Sequence, residues 1–271
     1  MPQGNPFSKS IKKGRRDLKV YPYKSAKIRI DQCIKMNNIL EVKNLNVSFD
    51  KEKIIENLSF SLKTGENLVV LGPNGAGKTA LLKTLLGIYP FSGEIKWKEN
   101  VKIGYVPQKF FLEKTVPLTV EEFFKFRPRR PANEKISGEE IVKAINSVGI
   151  KNGSILKKKI GEISSGQLQR VLIAWALVDN PEVLIFDEPT AGIDIEGEET
   201  IYKLLAEIEK ERNLTIIMVT HDLSVVYKIA DSALCLNRRF FCYGAPQDVL
   251  NSENFRKLYG EEIKFYKHEH H

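Results

Sequence analysis

Residues 69–86 of the chain read VVLGPNGAGKTALLKTLL, and this stretch decides the fold. An apolar, β-branched run leads into a glycine-rich loop, and a leucine-rich run with helical spacing follows it. The loop matches the pattern GxxxxGK[ST] over residues 72–79, which binds nucleotide phosphates when it joins a strand to a helix. The glycines let backbone N–H groups point at the phosphates, while Lys78 reaches the β- and γ-phosphates and the Thr79 hydroxyl can ligate Mg²⁺. The predicted nucleotide-binding residues of this loop are Gly72, Pro73, Asn74, Gly75, Ala76, Gly77, Lys78, Thr79 and Ala80.

Short apolar runs alternate with longer segments of helical period from residue 36 onward. This alternation is typical of a largely parallel β-sheet with α-helices packed on its faces, so we predict an α/β fold. Between residues 109 and about 180 the strand pattern disappears and three segments have helical spacing, so we expect an inserted helical subdomain there. The six predicted strands are residues 39–42, 67–72, 103–106, 182–187, 214–220 and 232–237.

The formal net charge of +8 is confined to residues 1–35, which hold ten Lys or Arg against two Asp. The high isoelectric point therefore says nothing about what the rest of the chain binds. We interpret residues 1–35 as a basic, disordered leader, although an arm for anionic lipid or nucleic acid and an organelle-targeting segment remain alternatives. Residues 36–260 are the expected folded domain and residues 261–271 a tail.

The cysteine content favours a reducing compartment. Cys33, Cys235 and Cys242 form no CxxC pair, and an odd count does not suit a disulfide framework. Among the tail residues, His268, Glu269, His270 and His271 are interpreted as a solvated end rather than a zinc site.

Two carboxylates follow the apolar run in PEVLIFDEPTAGID, residues 181–194. Ligands of α/β proteins collect at the carboxyl ends of the strands, which is where Asp187 and Glu188 are expected to lie. We predict that Asp187 holds Mg²⁺ through water. Glu188 is predicted to accept a proton from the attacking water, a role worth roughly 10²–10⁴-fold in rate.

His221 ends another apolar run, IIMVTHD, at residues 216–222. A histidine at a strand end is more often structural than catalytic. His221 nevertheless falls at the edge where the γ-phosphate is expected, so we predict a catalytic role.

A second anion site is suggested by EISSGQLQRV, residues 162–171. Serines and a glycine precede the apolar helical run, so the first turn offers hydroxyls and backbone N–H groups. An ordinary N-capped helix would explain a serine but not the Gly-Gln that follows. Since the loop at residues 72–79 already provides a phosphate site, the anion for this helix must come from elsewhere.

Taken in order, these motifs resemble the ATP-binding subunit of ATP-binding cassette (ABC) transporters over about residues 38–260. GYVPQ is similar to the family's Q-loop with Gln108, AGID to its D-loop with Asp194, and THD to its switch histidine, His221. ISSGQ at residues 163–167 resembles the signature usually written LSGGQ. The resemblance implies a P-loop NTPase core: a mainly parallel sheet flanked by helices, with an N-terminal antiparallel β part.

The resemblance also implies how the site is completed. Two subunits pair head to tail, and the signature helix of each meets the γ-phosphate of the ATP held by the other. Phe49 matches the family's aromatic that stacks on adenine, and Gln108 joins Thr79 and Asp187 as a magnesium residue. The residues expected to act in trans are Ser164, Ser165, Gly166 and Gln167.

Two positions depart from the family pattern. Ser165 stands where the family usually has glycine, and Ala80 replaces a hydroxyl residue expected at the α-phosphate. We expect a weaker hold on nucleotide but an active ATPase, because neither position touches the metal or the water.

Residues 234–260 and the VPQ…VPLTVEEFF pattern resemble the ATPases of bacterial zinc and manganese importers. An iron-chelate or cobalamin importer is the alternative, followed by a soluble ABC ATPase acting on nucleic acid or ribosomes and by a lone interaction module with the leader as its arm. The implied partners are integral membrane permease subunits, a second copy of the chain and, indirectly, an extracytoplasmic substrate-binding protein, with no nucleic acid. The implied location is the cytoplasmic face of the cell membrane, where a groove at residues 109–124 receives a short permease helix.

Overall fold

The computed structural model describes residues 29–30, 37–50, 52–110, 116–126, 136–151, 153–238 and 240–259. The strands within these ranges are β1 (Arg29–Ile30), β2 (Asn38–Phe49), β3 (Glu52–Lys63), β4 (Asn67–Leu71), β5 (Ser92–Trp97), β6 (Ile103–Val106), β7 (Val183–Asp187), β8 (Thr215–Val219), β9 (Ser232–Asn237) and β10 (Phe240–Gly244). The α-helices are α1 (Lys78–Leu85), α2 (Val120–Lys125), α3 (Gly138–Ser147), α4 (Ser165–Leu177), α5 (Ile195–Arg212), α6 (Leu223–Ile229), α7 (Pro246–Val249) and α8 (Ser252–Tyr259).

A six-stranded sheet with the order β10-β9-β4-β8-β7-β6 forms the centre of the fold. Its strands are parallel from β9 to β6, and β10 alone is antiparallel to its neighbour within this sheet. Every residue of β4, β7 and β8 is buried, as expected of strands covered on both faces. The predicted α/β fold with a mainly parallel sheet is confirmed, and all six predicted strands are present.

A second sheet with the order β1-β5-β2-β3 provides the antiparallel β part, in which β2 pairs with both β3 and β5. The sequence pattern indicated only the beginning of β2 and gave no sign of β3, β5 or β10. Strands β3 and β5 alternate polar with apolar residues, and β2 and β3 are interrupted by register shifts, so no continuous apolar run marks them. The run FFCYG of β10 is apolar, but it was not recognised as a strand from the sequence pattern.

The two faces of the six-stranded sheet pack into two separate hydrophobic clusters. Val69 and Leu71 of β4 point into one cluster, while Leu68 and Val70 point into the other, because side chains alternate along a strand. The second cluster joins α1 and the antiparallel sheet, whereas the first joins α2 to α8. The nucleotide loop after β4 therefore projects from the middle of a sheet fixed on both sides.

Helices α2, α3 and α4 and two 3-10 turns, Gly153–Lys157 and Ile160–Glu162, occupy the described part of residues 109–180. Helix α3 packs against α4, and the Arg170 guanidinium donates to the Val148 carbonyl at 2.6 Å. The boundaries proposed for this subdomain stay a prediction. The basic segment at 127–135 and residues 111–115 of the predicted groove lie outside the described residues.

Both chain ends lie largely outside the described residues, including Cys33 and the histidine-rich tail. Within the predicted leader, β1 is described and runs parallel to β5. Among the described helices, none combines the length and apolar character that a membrane crossing requires.

Candidate active site

Four neighbouring strands bring the predicted site residues to one edge of the sheet. β4 leads into the nucleotide loop, β8 into His221, β7 into Glu188 and β6 towards Gln108, and these strands are adjacent and parallel. Their carboxyl ends are also linked directly: the Thr220 amide donates to the Val70 carbonyl at 3.3 Å, and the Glu188 amide donates to the Val219 carbonyl at 3.0 Å. The sheet order alone therefore gathers groups that lie more than 100 residues apart in the sequence.

The nucleotide loop turns tightly between β4 and α1. The Ala76 amide donates to the Pro73 carbonyl at 3.1 Å, and Gly77, with φ of 100°, begins α1 without a side-chain cap. A Cβ on Gly72 would lie 1.9 Å from the Leu236 carbonyl oxygen, so only glycine fits there. The uncapped amide end of α1 is suited to bind an anion.

Lys78 lies inside this loop, with only 7% of its surface exposed. Its ammonium donates to the carbonyl oxygens of Gly72 at 2.8 Å and Pro73 at 3.1 Å. Burial lowers the pKa of Lys78, and the carboxylates of Glu188 and Asp187 act against that shift. The positive charge is thus held at the point where phosphates would bind.

Thr79 and Asp187 meet across the gap between the loop and β7. The Thr79 hydroxyl donates to Asp187 Oδ1 at 3.1 Å, and Asp187 is 2% exposed. Burial raises the pKa of Asp187, whereas its hydrogen bond with Thr79 lowers it. A hydroxyl and a carboxylate side by side are hard oxygen ligands, so this pair fits Mg²⁺.

Glu188 and Gln108 form a second pair at the same edge, in which Gln108 Nε2 donates to Glu188 Oε2 at 2.5 Å. Glu188 has a φ of 50°, a left-handed conformation that is strained for a non-glycine residue. The turn after it holds this conformation, because its carbonyl accepts from the Ala191 amide at 3.1 Å. The carboxylate is thereby directed away from β7, and the predicted metal role of Gln108 stays a prediction.

His221 is exposed at the end of β8, next to the buried Thr220. The Asp222 amide donates to Thr220 Oγ1 at 3.0 Å, and the Asp222 carboxylate caps α6 through the Ser224 amide at 2.8 Å. Both neighbours of His221 are therefore anchored while the imidazole faces solvent.

The signature segment begins α4 with a capping box. The Ser164 hydroxyl accepts from the Gln167 amide, and Gln167 Oε1 accepts from the Ser164 amide, both at 3.3 Å. The expectation that a cap could not explain Gln167 is wrong, since S-x-x-Q is a capping-box pattern. A Cβ on Gly166 would meet nothing within 4 Å, and the side chains of Ser164, Ser165 and Gln167 are exposed. The action of these residues in trans stays a prediction.

Asp194 lies at the start of α5, which it caps by accepting from the Gly197 amide at 2.8 Å. This contact within the chain explains an aspartate at that position, and the D-loop role predicted for it stays a prediction.

Phe49 lies at the end of β2, half-buried, with its ring edge-on to Tyr89 at 4.8 Å between centroids. The hairpin that it belongs to lies over the nucleotide loop, because a Cβ on Gly77 would come within 3.0 Å of Ile54. Stacking of Phe49 on adenine stays a prediction.

Sequence reasoning missed several residues around this edge. The Lys83 ammonium donates to the Tyr89 hydroxyl at 3.3 Å and lies near Asp187. Burial and Asp187 raise the pKa of Tyr105. Lys83 lies one turn after Thr79 on α1, so the i, i+4 spacing of a helix could have predicted that both residues lie on the same face. Tyr89 belongs to no motif, and Tyr105 lies within the GYVPQ segment without a role having been assigned to it.

Comparison with known proteins agrees with this geometry. The profile of the ABC transporter family matches residues 55–191. A relative in Photorhabdus laumondii subsp. laumondii, named "Zinc import ATP-binding protein ZnuC", is 37% identical over 240 residues, which cover 87% of this chain and 90% of that protein. A relative of the same name in Pasteurella multocida is 35% identical over 237 residues, which cover 86% of this chain and 87% of that protein. A solved metal-chelate type ABC transporter in an inward-facing conformation aligns with a TM-score of 0.74 and 30% identity, covering 82% of this chain and 89% of that one.

The parallel sheet and the loop at its centre define a P-loop nucleotide-binding protein. More particularly, the chain belongs to the ABC transporter family and is one of its ATPase subunits.

Proposed function

We propose that this chain hydrolyses ATP to energise a membrane importer of a divalent metal cation, zinc or manganese. The observation that carries the proposal is the similarity to zinc import ATP-binding proteins along nearly the whole length of both chains. The site supplies the chemistry, since one sheet edge gathers a phosphate loop, an oxygen pair for a metal and a carboxylate for proton transfer.

ATP binding is assigned to residues 72–80 and to α1. Amides of the loop and of the first turn of α1 bind the phosphates, and Lys78 supplies a positive charge among them. The Thr79 hydroxyl and the Asp187 carboxylate would hold Mg²⁺ with Gln108, and the ion would offset the phosphate charge. Phe49 is assigned to the adenine.

Hydrolysis is assigned to Glu188 and His221. Glu188 accepts the proton of the attacking water, and the Gln108 amide orients that carboxylate through their hydrogen bond. His221 is presented from β8, between the nucleotide loop and Glu188, so that it can contact the γ-phosphate. This arrangement needs no movement of the sheet.

A second copy completes the site in this proposal. The signature turn at residues 164–167 faces solvent in its own chain, and its backbone and hydroxyl donors suit the γ-phosphate bound by the other copy. Asp194 is assigned to the same contact between the two copies. ATP would then join the two copies, and loss of the γ-phosphate would let them separate.

The membrane partner is assigned to the aromatic surface beside Gln108. Phe110 packs edge-on against Phe123, which stacks on Trp175 at 5.4 Å between centroids, and Phe126 nearby is 72% exposed. Such a surface suits a short apolar helix of a permease subunit. The chain would thus act at the cytoplasmic face of the membrane, with an extracytoplasmic substrate-binding protein as an indirect partner.

The second candidate is an importer of iron chelates or cobalamin. The structural similarity to a metal-chelate type ABC transporter is the observation behind it, and it supports this candidate less well than the zinc import relatives support the first. A transport assay in vesicles distinguishes the two candidate functions, because they differ in the transported substrate and not in the ATPase site.

The test is reconstitution of the full chain with its copurified permease in lipid vesicles. We expect ATP-dependent uptake of Zn²⁺ or Mn²⁺, which Lys78→Ala and Glu188→Gln abolish while the complex stays assembled. Uptake of an iron chelate or cobalamin without Zn²⁺ or Mn²⁺ would transfer the proposal to the second candidate. ATPase activity that responds to nucleic acid but not to a permease would refute both.

A further inference from the structure

Tyr202 lies on α5, about two turns after Asp194, and has no place in the site described above. Its hydroxyl lies 3.2 Å from the Thr190 hydroxyl. Thr190 is only 6% exposed and follows Glu188 by two residues, inside the turn that directs this carboxylate away from β7. One end of the Tyr202 contact thus lies on the segment that carries the predicted proton acceptor.

The other end of the contact lies beside His221. Thr220, 3% exposed, lies beside the Tyr202 hydroxyl and interacts with it. Thr220 is itself fixed, since its amide donates to the Val70 carbonyl at 3.3 Å and its hydroxyl accepts from Asp222 at 3.0 Å. Burial raises the pKa of Tyr202, so the phenol stays protonated and can both donate and accept.

The contact of Tyr202 lies just beyond the point where the hydrogen-bonded pairing of β7 with β8 ends. Strands β7 and β8 remain paired up to Asp187 and Val219, and the Glu188 amide makes one further bond to the Val219 carbonyl. Beyond that point Glu188 and His221 continue on separate turns. The Tyr202 hydroxyl, on the helix packed against these turns, hydrogen-bonds to Thr190, two residues after Glu188, and lies beside Thr220, which precedes His221.

A purely structural role would require only that buried hydroxyls find partners. A phenylalanine would fill nearly the same volume against the cluster under α5, so packing does not explain the hydroxyl. The hydroxyl instead hydrogen-bonds to the Glu188 turn while it lies against the start of the His221 turn.

We propose that Tyr202 is a positioning residue for ATP hydrolysis, whose hydroxyl bonds to Thr190 and so holds the Glu188 turn in place beside the His221 turn. This inference rests on the proposed roles of Glu188 and His221. It predicts an effect on the rate of hydrolysis without an effect on the binding of ATP, because Tyr202 does not reach the nucleotide loop or the Thr79–Asp187 pair.

The test compares Tyr202→Phe with wild type in the full chain. We expect kcat for ATP hydrolysis to fall about tenfold, the rate equivalent of one lost hydrogen bond, with KM and the Kd of a fluorescent ATP analogue changed less than about twofold. Thr190→Val should reduce kcat by a similar factor, and the double variant should be little worse than either single one. Tyr227→Phe is the matched control, since Tyr227 is 60% exposed.

Three results would overturn the inference: an unchanged kcat in Tyr202→Phe, a parallel change in KM and kcat, or fully additive losses in the double variant. Melting temperatures of all variants show whether a lower rate reflects unfolded protein, and a loss of rate that scales with the unfolded fraction also overturns it. Glu188→Gln is measured in parallel. If the wild-type chain hydrolyses no ATP, the proposed function fails, and if Glu188→Gln hydrolyses ATP normally, the role of Glu188 fails. If Glu188→Gln is inactive while Tyr202→Phe is normal, only the role of Tyr202 fails.

Discussion

Replacing Gly72 by alanine tests whether the nucleotide loop is confined by the strand behind it. The added Cβ would lie 1.9 Å from the Leu236 carbonyl oxygen, and ordinary contact requires about 3.4 Å. Leu236 belongs to β9, which is paired with both β4 and β10, so its carbonyl cannot retreat without disturbing two strand pairs. Gly75 in the same loop is the matched control, because a Cβ there would meet nothing within 4 Å.

Both glycines have positive φ values, 155° at Gly72 and 77° at Gly75, so alanine is strained at either position. We take the strain alone as about 1–2 kcal/mol in the free energy of unfolding. The gap of about 1.5 Å that must open at Gly72 adds an overpacking cost of roughly 3 kcal/mol. For a domain of this size that excess corresponds to a melting temperature about 6–12 °C below that of Gly75→Ala.

The assay is thermal unfolding of the full chain by circular dichroism in EDTA without nucleotide, so that ligand binding does not contribute to the melting temperature. Titration with a fluorescent ATP analogue then shows how far each change also weakens binding. A Gly72→Ala variant as stable as Gly75→Ala would refute the reasoning, because β9 would then have moved away from the added Cβ with no loss of stability.

Three further predictions concern the site itself. Glu188→Gln should keep ATP binding, lose at least 10²-fold in hydrolysis and elute as a nucleotide-bound dimer in size-exclusion chromatography; a strictly monomeric elution would contradict the pairing. Thr79→Ala should raise the Mg²⁺ concentration needed for half-maximal hydrolysis several-fold but leave ATP binding in EDTA unchanged, because the partner of Asp187 is lost. Ser164→Ala should lose both a cap worth about 1 kcal/mol and most of the hydrolysis. The capping serine of α3, Ser137→Ala, should lose only the stability, so equal rates for the two variants would refute the signature role.

The central sheet and the groups at its edge could be predicted because each depends on a local pattern. A buried parallel strand is a continuous apolar run, and a polar residue directly after such a run lies at the carboxyl edge. Asp187, Glu188 and His221 follow that rule, and the structure brings them to one edge. The roles assigned to them remain to be tested by the variants above.

The contacts that the sequence did not reveal depend on pairs of distant residues. Gln108 and Glu188 meet across 80 positions, and no pattern in either segment indicates their hydrogen bond. The Tyr202 hydroxyl likewise faces Thr190 only because α5 packs under both turns. The capping role of Gln167 differs from these, since the S-x-x-Q spacing was visible in the sequence.

The capping box of α4 has a consequence for how two copies would meet. Because Ser164 and Gln167 satisfy each other within one chain, the first turn of this helix is complete before any second copy arrives. Association in the proposed pairing would then need no ordering of the signature turn, and little conformational entropy would be lost there. Repeated joining and parting of the copies would act on rigid surfaces, with the bound phosphate deciding how long each encounter lasts.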